Sequence, residues 1–237
     1  MLRLSLRQAQ AERPKAADSI NKNLAMKQLI KKLVPQSVLD ARERAMHQKM
    51  YDEWKANGEA DPVPHLIKQQ TIAEYAKKHS TATLVETGTY LGHMVCAMLD
   101  KFQRIISIEL AQHFHEQAKE RFKKDKHVEL LQGDSGNVLT TLAPTIDTPA
   151  LFWLDGHYSS GETAKGDLNT PIMKELDAVL GGNINHVVLI DDARCFNGTE
   201  DYPTMEGLEA KIKSLRSDYT IEVAHDIIRV CPPLPNA

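Results

Sequence analysis

Four short apolar segments limit the folds open to this chain more than any other feature. Each ends in a carboxylate or a glycine turn: Thr83–Gly92, Ile105–Leu110, Leu151–His157 and Val187–Asp192. Parallel strands of an open α/β sheet place ligand-binding residues at their carboxyl ends, outside one edge of the sheet. The sequence therefore predicts an α/β fold with a cofactor site at that edge and, from the later carboxylates, a metal site.

The first segment is expected to form a buried strand, a glycine turn and a helix that begins near His93. Gly88 and Gly92 let the backbone turn sharply and approach a ligand, and the helix offers its first amides. The spacing Glu86-x-Gly88-x-x-x-Gly92 departs from the dinucleotide-binding fingerprint, which has glycine where Tyr90 stands. A nucleotide ligand is one interpretation, and a tight strand-to-helix turn without a ligand is the other.

Acidic residues follow the second and third predicted strands. Glu109 lies roughly 20 residues after the glycine turn, where a carboxylate accepts hydrogen bonds from both ribose hydroxyls. The alternative for Glu109 is a solvated charge at a strand end. Asp134 follows the strand Val128–Leu131 and is expected either to reach an adenine amino group or to cap the helix that starts near Ser135.

Three further carboxylates are expected to converge at the same edge. Asp155 ends the fourth strand, and Asp191 and Asp192 end the fifth. Unpaired anions at such a distance would repel each other, and a hard divalent cation such as Mg²⁺ relieves the repulsion. Oxygen ligands alone disfavour zinc. The alternative for the Asp pair is a turn or helix cap with a solvated neighbour.

Residues close to these carboxylates are candidates for the acceptor side of the site. His157 follows Asp155 by two residues and is expected to act as a general base for a hydroxyl held on the ion. Its alternative is a loop histidine that packs on Tyr158. Phe196 and Tyr202 are expected either to flank an acceptor ring or to pack locally.

The order and spacing of these segments, from about Thr71 to Cys231, resemble the class I S-adenosylmethionine-dependent methyltransferases. The sequence VETGTYLG is similar to their first motif, Glu109 to their ribose-binding acid, and Gly133–Ser135 to their adenine-side motif. The resemblance implies that the cofactor is bound by the following residues: Glu86, Gly88, Thr89, Tyr90, Gly92, Glu109, Asp134, Ser135 and Asp155.

A narrower resemblance rests on LDGHYSSGETAKGD and LIDDA together with the first motif. These sequences are similar to metal-dependent small-molecule O-methyltransferases related to the macrocin and mycinamicin sugar methyltransferases. The resemblance implies that Asp155, Asp191 and Asp192 hold Mg²⁺ and that His157 and Asp155 are catalytic, with His157 as the base.

Composition excludes several other classes of protein. The net charge is 29 − 32 = −3 over 237 residues, which gives no signature of binding to nucleic acid. The three cysteines lack CxxC spacing, so they indicate neither a zinc site nor a disulfide framework. No apolar stretch approaches the roughly 20 residues needed to span a bilayer, and no signal-peptide core is present. We expect a cytoplasmic protein that binds no membrane.

The two ends of the chain differ in character. Residues 1–65, which contain no glycine before Gly58, are predicted to form a helical extension that acts as a lid, pairs two subunits in a homodimer, or only covers the sheet. Residues 66–237 are predicted to form the methyltransferase domain. Its last two strands, Ile221–Ala224 and Ile227–Val230, are expected to form an antiparallel hairpin, which is typical of the methyltransferase fold and not of the dehydrogenase fold.

These observations predict a Rossmann-like sheet of seven strands, mostly parallel, with this hairpin at its end. The predicted function is S-adenosylmethionine-dependent, divalent-metal-assisted O-methylation of a small molecule, with a sugar or a glycosylated metabolite as a candidate acceptor. A nicotinamide-dependent oxidoreductase and a non-catalytic cofactor-binding scaffold protein are the alternatives. The sequence does not select the acceptor.

Overall fold

A computed structural model of the protein describes residues 34–156 and 170–234. The chain divides into two compact units, residues 1–45 and 46–237. Helix α1 (Gln36–Ala56) crosses this boundary. The predicted division after residue 65 separates the chain by proposed role, and it stays a prediction.

The second unit alternates strands and helices from α2 to β5. Its elements are α2 (His65–Lys78), β1 (Thr83–Thr87), α3 (His93–Met98), β2 (Arg104–Glu109), α4 (Gln112–Arg121), β3 (Val128–Gln132), α5 (Ser135–Leu142), β4 (Leu151–Leu154), α6 (Ile172–Leu180), β5 (Val187–Ile190), α7 (Met205–Leu215), β6 (Thr220–Ala224) and β7 (Ile227–Cys231). Short 3₁₀ turns follow α5 at Ala143–Thr145 and β5 at Ala193–Cys195.

The seven strands form one sheet in the order β3-β2-β1-β4-β5-β7-β6. Strands β1 to β5 are parallel, whereas β7 runs antiparallel to both β5 and β6. His225 and Asp226 join β6 to β7 with φ angles of 50° and 57°, the signs that a two-residue type I′ hairpin turn requires. The predicted fold and its terminal hairpin are confirmed.

Helices cover the sheet on both faces, because the central strands are apolar on both sides. In β4 all four residues are buried: Phe152 and Leu154 pack with α5, α6 and α7, while Leu151 and Trp153 pack with α2, α3 and α4. Among the described residues, no helix has the length and apolar character needed to cross a membrane.

The strand register brings the carboxyl ends of β1 to β5 to one edge. Thr87 pairs with Ile108 of β2 and with Leu154 of β4, and Leu154 pairs in turn with Ile190 of β5. The order reverses between β1 and β4, since β2 lies on the far side of β1. In open α/β sheets the crevice at such a reversal is the usual place for a ligand.

Candidate functional site

The turn after β1 has the positive φ angles of a glycine-rich loop, although it contains only two glycines. Gly88 and Gly92 have φ angles of 88° and 74°, and Tyr90 between them also has a positive φ, 46°. A Cβ atom on Gly88 would lie 2.5 Å from the carbonyl oxygen of Asp155, so only glycine fits where this turn meets the end of β4. Tyr90 stands where the dinucleotide-binding fingerprint has glycine, and it has the positive φ angle that glycine would adopt there. Its ring packs on that of Phe114, with 4.7 Å between the ring centroids.

Glu109 joins the glycine turn to the end of β2. Its carboxylate accepts a hydrogen bond from the amide of Tyr90 at 2.7 Å and another from the amide of Ala111 at 2.8 Å. The residue is only 7 % exposed, so the alternative of a solvated strand-end charge is wrong. A carboxylate offers more lone pairs than these two bonds use. The ribose-binding role of Glu109 stays a prediction.

A chain of short hydrogen bonds lies beneath the glycine turn. The Ser107 hydroxyl donates to Oε2 of Glu86 at 2.5 Å, and the hydroxyls of Thr89 and Ser107 are 2.6 Å apart. Burial raises the pKa of Glu86 to about 8, and the nearby charges of Asp155 and Glu109 add to it, although the Ser107 bond acts against the rise. Glu86 is therefore mainly a neutral acid at pH 7.

The motif after β3 caps a helix. Asp134 is the residue before α5, and its side chain accepts a hydrogen bond from the amide of Asn137 at 2.9 Å. The predicted cap is confirmed, whereas contact with an adenine amino group stays a prediction. Ser135 is buried close to the end of β4, since a Cβ atom on Gly156 would lie 3.1 Å from its hydroxyl oxygen.

The three carboxylates after β4 and β5, Asp155, Asp191 and Asp192, are named the acid rim here. Lys68 of α2 donates to Oδ2 of Asp191, and its ammonium lies 3.8 Å from Oδ1 of Asp192. The side chains of Lys68 and Asp191 are 17 % and 1 % exposed. Burial lowers the pKa of Lys68, but all three carboxylates of the rim raise it and outweigh burial. Lys68 therefore stands at the acid rim as a cation.

Arg194 supplies a second positive charge. Its guanidinium donates to Asp192 at 2.8 Å and also to Asp226, whose other oxygen accepts from the Arg194 amide at 2.8 Å. The premise that the Asp pair lacks counter-charges is therefore wrong. The alternative of a solvated neighbour is wrong too, because Asp191 and Asp192 are 3 % and 7 % exposed.

The carboxylates of the acid rim are not arranged as a metal-binding site. Among the described residues, its three members do not form a group whose carboxylate oxygens all lie within 4.8 Å of one another. Two basic side chains, Lys68 and Arg194, already occupy carboxylate oxygens that a metal ion would use. The donor chemistry suits Mg²⁺ but the arrangement does not fit it as built, and the metal site stays a prediction.

The remaining predicted residues divide into two groups. Phe196 and Tyr202 pack on each other with ring centroids 5.3 Å apart, and Phe196 is buried, which confirms local packing. His157 and Tyr158 lie outside the described residues. The role of His157 as a base therefore stays a prediction.

Sequence reasoning missed Lys68, although a local signal exists. Lys68 shares one face of α2 with three buried residues at the spacing i, i+3, i+4 and i+7: Thr71, Ile72 and Tyr75. A lysine on the buried face of a helix is uncommon unless it is paired. The same reasoning also missed a group of three histidines, His47, His65 and His93, which is named the histidine cluster here. These three lie on separate helices, and their spacing in the sequence gives no signal.

Many solved structures share this fold, and two O-methyltransferases are among them. The O-methyltransferase TomG from Streptomyces achromogenes, involved in tomaymycin synthesis and solved with SAM, is 16 % identical at a TM-score of 0.51, covering 79 % of this chain and 89 % of that chain. The O-methyltransferase from Bacillus cereus, solved with SAH, is 11 % identical at a TM-score of 0.51, covering 79 % and 90 %. No family model and no curated protein matches the chain. The likeness establishes the class I methyltransferase fold.

Proposed function

We propose that this protein is an S-adenosylmethionine-dependent methyltransferase that acts on a hydroxyl group of a small molecule. The observation that carries the proposal is the hydrogen bond between the glycine turn and Glu109, in which the Tyr90 amide donates to this buried carboxylate. This hydrogen bond connects the turn after β1 to the end of β2, which are two parts of the proposed nucleoside site, close to the point where the strand order reverses. Two proteins of the same fold were solved with SAM or SAH, which supports the choice of cofactor.

The described residues fit a nucleoside cofactor. Glu109 keeps lone pairs for the two ribose hydroxyls, and Asp134 keeps one carboxylate oxygen beyond its capping bond. The left-handed backbone at Gly88, Tyr90 and Gly92 gives the close approach that a cofactor tail needs. When bound, the cofactor supplies a methyl group on a sulfonium centre.

The acid rim is the proposed acceptor side of the site. Methyl transfer forms a bond from the acceptor oxygen to the methyl carbon as the carbon–sulfur bond breaks, and the hydroxyl proton passes to a base. Asp155 and His157 are the proposed catalytic residues, with His157 as the base. Lys68 would hold the rim carboxylates in place and favour a developing negative charge on the acceptor oxygen.

Two versions of the acceptor side follow from the residues. In one version, which the sequence resemblance implies, Asp155, Asp191 and Asp192 would hold Mg²⁺, which would supply positive charge beside the acceptor oxygen, and the acceptor would be a sugar or glycosylated metabolite. In the other version Lys68 supplies the positive charge and no metal ion is required. The geometry favours the second version, because the ammonium already contacts Asp191 and lies near Asp192.

A nicotinamide-dependent oxidoreductase has less support. Because Tyr90 has a positive φ, the backbone of the glycine turn is also compatible with binding a nicotinamide dinucleotide. However, β7 inserts antiparallel between β5 and β6, which is the ending expected of a methyltransferase sheet. A non-catalytic scaffold would bind the cofactor without turnover.

Calorimetry with S-adenosylmethionine, S-adenosylhomocysteine and NADH tests the proposal. We expect micromolar affinity for the first two, and a loss of roughly tenfold or more in Glu109→Gln, because charged hydrogen bonds contribute about 1.5–3 kcal/mol each. Glu116→Gln removes an exposed carboxylate from α4 and serves as the matched control. Binding of NADH alone, or equal affinity of the Glu109 and Glu116 variants, would contradict the proposal.

Turnover then separates the two versions of the acceptor side. Methyl transfer to a panel of sugars and diols is measured with Mg²⁺ and with EDTA. Equal rates favour the Lys68 version, and loss of turnover in EDTA favours the Mg²⁺ version. Cofactor binding without transfer to any acceptor favours the scaffold.

A further inference from the structure

The turn that follows β5 holds Asp192 in a left-handed backbone conformation. Asp192 has φ 55° and ψ 50°, which costs free energy for any residue other than glycine. Its carbonyl oxygen accepts a hydrogen bond from the amide of Cys195 at 2.8 Å, and its own amide donates to Oδ1 of Asp191 at 2.9 Å. A conformation of this kind persists only where surrounding contacts hold it, and it is common at functional sites.

The hairpin between β6 and β7 supplies contacts that hold this turn. The backbone carbonyl of Asp226 accepts a hydrogen bond from the Ala193 amide at 2.9 Å, and its Oδ1 accepts from the Arg194 amide at 2.8 Å. Its Oδ2 accepts from the Arg194 guanidinium. The side chain of Asp226 is 2 % exposed. All the oxygens of one buried residue therefore bind the turn after β5.

Arg194 connects Asp226 to the acid rim. The same guanidinium nitrogen, Nη1, donates both to Asp226 and to Oδ1 of Asp192, the second bond at 2.8 Å. Hydrogen bonds between charged groups are strong and directional. The Arg194 side chain is 41 % exposed, so packing alone would hold it weakly. The two carboxylates therefore fix the guanidinium, and through it Asp226 acts on the carboxylate of Asp192.

Closure of the hairpin does not explain the carboxylate of Asp226. Any residue at this position would offer its carbonyl oxygen to the Ala193 amide. The positive φ angles of the turn are favoured by asparagine and glycine as well as aspartate. A buried carboxylate is costly unless it is paired. The charge of Asp226 is therefore expected to serve its contact with Arg194 and, beyond it, the position of Asp192.

We infer that Asp226 is a positioning residue of the acid rim, which holds Asp192 through Arg194 on the acceptor side of the site. The inference rests on the proposed function, because the position of Asp192 affects the reaction only if the acceptor binds at the rim. Asp226 acts through Arg194 and is not proposed to contact the acceptor. Binding of the cofactor, which involves the ends of β1 and β2, should not depend on it.

Asp226→Asn tests the inference, because asparagine keeps an oxygen for the Arg194 amide but loses the charge that holds the guanidinium. Methyl transfer to the panel of sugars and diols should fall roughly tenfold or more at saturating cofactor. Affinity for S-adenosylhomocysteine should stay within about twofold of the parent. Asp218→Asn changes an exposed aspartate at the other end of β6 and should alter neither quantity. Far-UV circular dichroism checks that the variants fold.

A double-mutant cycle with Arg194→Met separates positioning from a general structural role. Because Asp226 acts through the guanidinium, Asp226→Asn should reduce methyl transfer no further in the Arg194→Met background. If Asp226 only stabilised the hairpin, the two losses would multiply. The inference is overturned by multiplied losses, or by parent-like transfer in Asp226→Asn.

Thiol labelling reports on the turn without an acceptor. Cys195 is half-buried, and its amide binds the Asp192 carbonyl, so a loosened turn should expose its thiol. We expect faster labelling of Cys195 in Asp226→Asn and in Arg194→Met, and no further rise in the double variant. Half-buried Cys96 of α3 is the internal reference. Parent-like labelling of Cys195 in Asp226→Asn would overturn the inference. If the parent transfers no methyl group, the proposed function fails, and labelling alone then decides whether Asp226 holds the turn.

Discussion

The acid rim and the histidine cluster are both groups of ionisable side chains, but their charges are compensated in different ways. The carboxylates of the rim are balanced from within the chain, by Lys68 and Arg194. In the histidine cluster, burial lowers the pKa of His65 to about 3, so this imidazole is neutral at pH 7. A basic side chain of the protein competes with a metal ion for the oxygens of a carboxylate. Acidic residues at the edge of a sheet therefore indicate a metal site only where they have no basic neighbours.

Lys68→Met is the change that separates the two regions most strongly. It leaves Asp191, whose side chain is 1 % exposed, without its ammonium partner. Removal of one member of a buried ion pair costs about 3–5 kcal/mol, and we expect a loss of this size in the free energy of unfolding in urea. The variant, unlike the parent, should be stabilised by Mg²⁺, because Asp191 then lacks its ammonium partner and Arg194 still pairs only with Asp192 in the rim.

Lys211→Met is the matched control for that change. Lys211 pairs with Asp177, whose side chain is 54 % exposed. Exposed pairs contribute about 0–1 kcal/mol, so the control should lose little stability. If Lys68→Met is as stable as Lys211→Met, or if Mg²⁺ stabilises the parent equally, the rim is not balanced by Lys68.

Glu86→Gln sharpens the comparison within the acidic residues themselves, because Glu86 is buried near Asp155 and holds a proton instead of a cation. The folded state binds this proton more tightly than the unfolded state, with a pKa of about 8 against the usual 4.5. Stability from this group is therefore full below about pH 4.5 and falls as the pH rises to about 8. The glutamine variant should lose this slope and exceed the parent by about 2–4 kcal/mol at pH 9.

Urea unfolding between pH 5 and pH 9 measures this effect. Ser107 can still donate to the glutamine oxygen, so the variant should fold at pH 5 about as well as the parent. An unchanged slope in Glu86→Gln would show that Glu86 is ionised in the folded protein at neutral pH.

Gly88→Ala tests the contact between the glycine turn and the acid rim. An added Cβ atom would meet the Asp155 carbonyl oxygen at 2.5 Å, and backbone cannot give way cheaply. Gly58 has the same φ of 88° with nothing within 4 Å, so Gly58→Ala carries the dihedral strain alone. We expect Gly88→Ala to lose about 1–3 kcal/mol more than Gly58→Ala in urea unfolding. Equal losses would show that the turn does not rest on Asp155.

Local patterns in the sequence predict the fold and the strand-end residues well, but they do not predict contacts between distant elements. The hairpin turn at His225 and Asp226 lies between the two apolar segments that were expected to form the terminal strands. The apolar segments end where β4 and β5 end, because continuous burial requires continuous apolar side chains. Glu109 and Asp134 could be predicted because Glu109 is the last residue of β2 and Asp134 lies two residues after the end of β3.

The partners of the acid rim could not be found in this way. Lys68 lies 123 residues from Asp191 in the chain, and nothing near the Asp pair in the sequence indicates a cation in α2. Membership of a buried helix face singles out Lys68 but not its partner. The histidine cluster has no local pattern at all, because each helix contributes one imidazole and only the packing of the helices makes them neighbours.

Tyr90→Gly is expected to have the smallest effect, and it changes the glycine turn that leads to His93 of the histidine cluster. Glycine relieves a strain of about 1 kcal/mol at φ 46°, but it loses the edge contact with Phe114, which is worth about 0.5–1.5 kcal/mol. The free energy of unfolding should therefore change by less than about 1 kcal/mol. Tyr90→Phe keeps both the strain and the ring and is the control. A loss of stability well above 1 kcal/mol in Tyr90→Gly, with none in Tyr90→Phe, would show that the contact between Tyr90 and Phe114 outweighs the backbone strain at Tyr90.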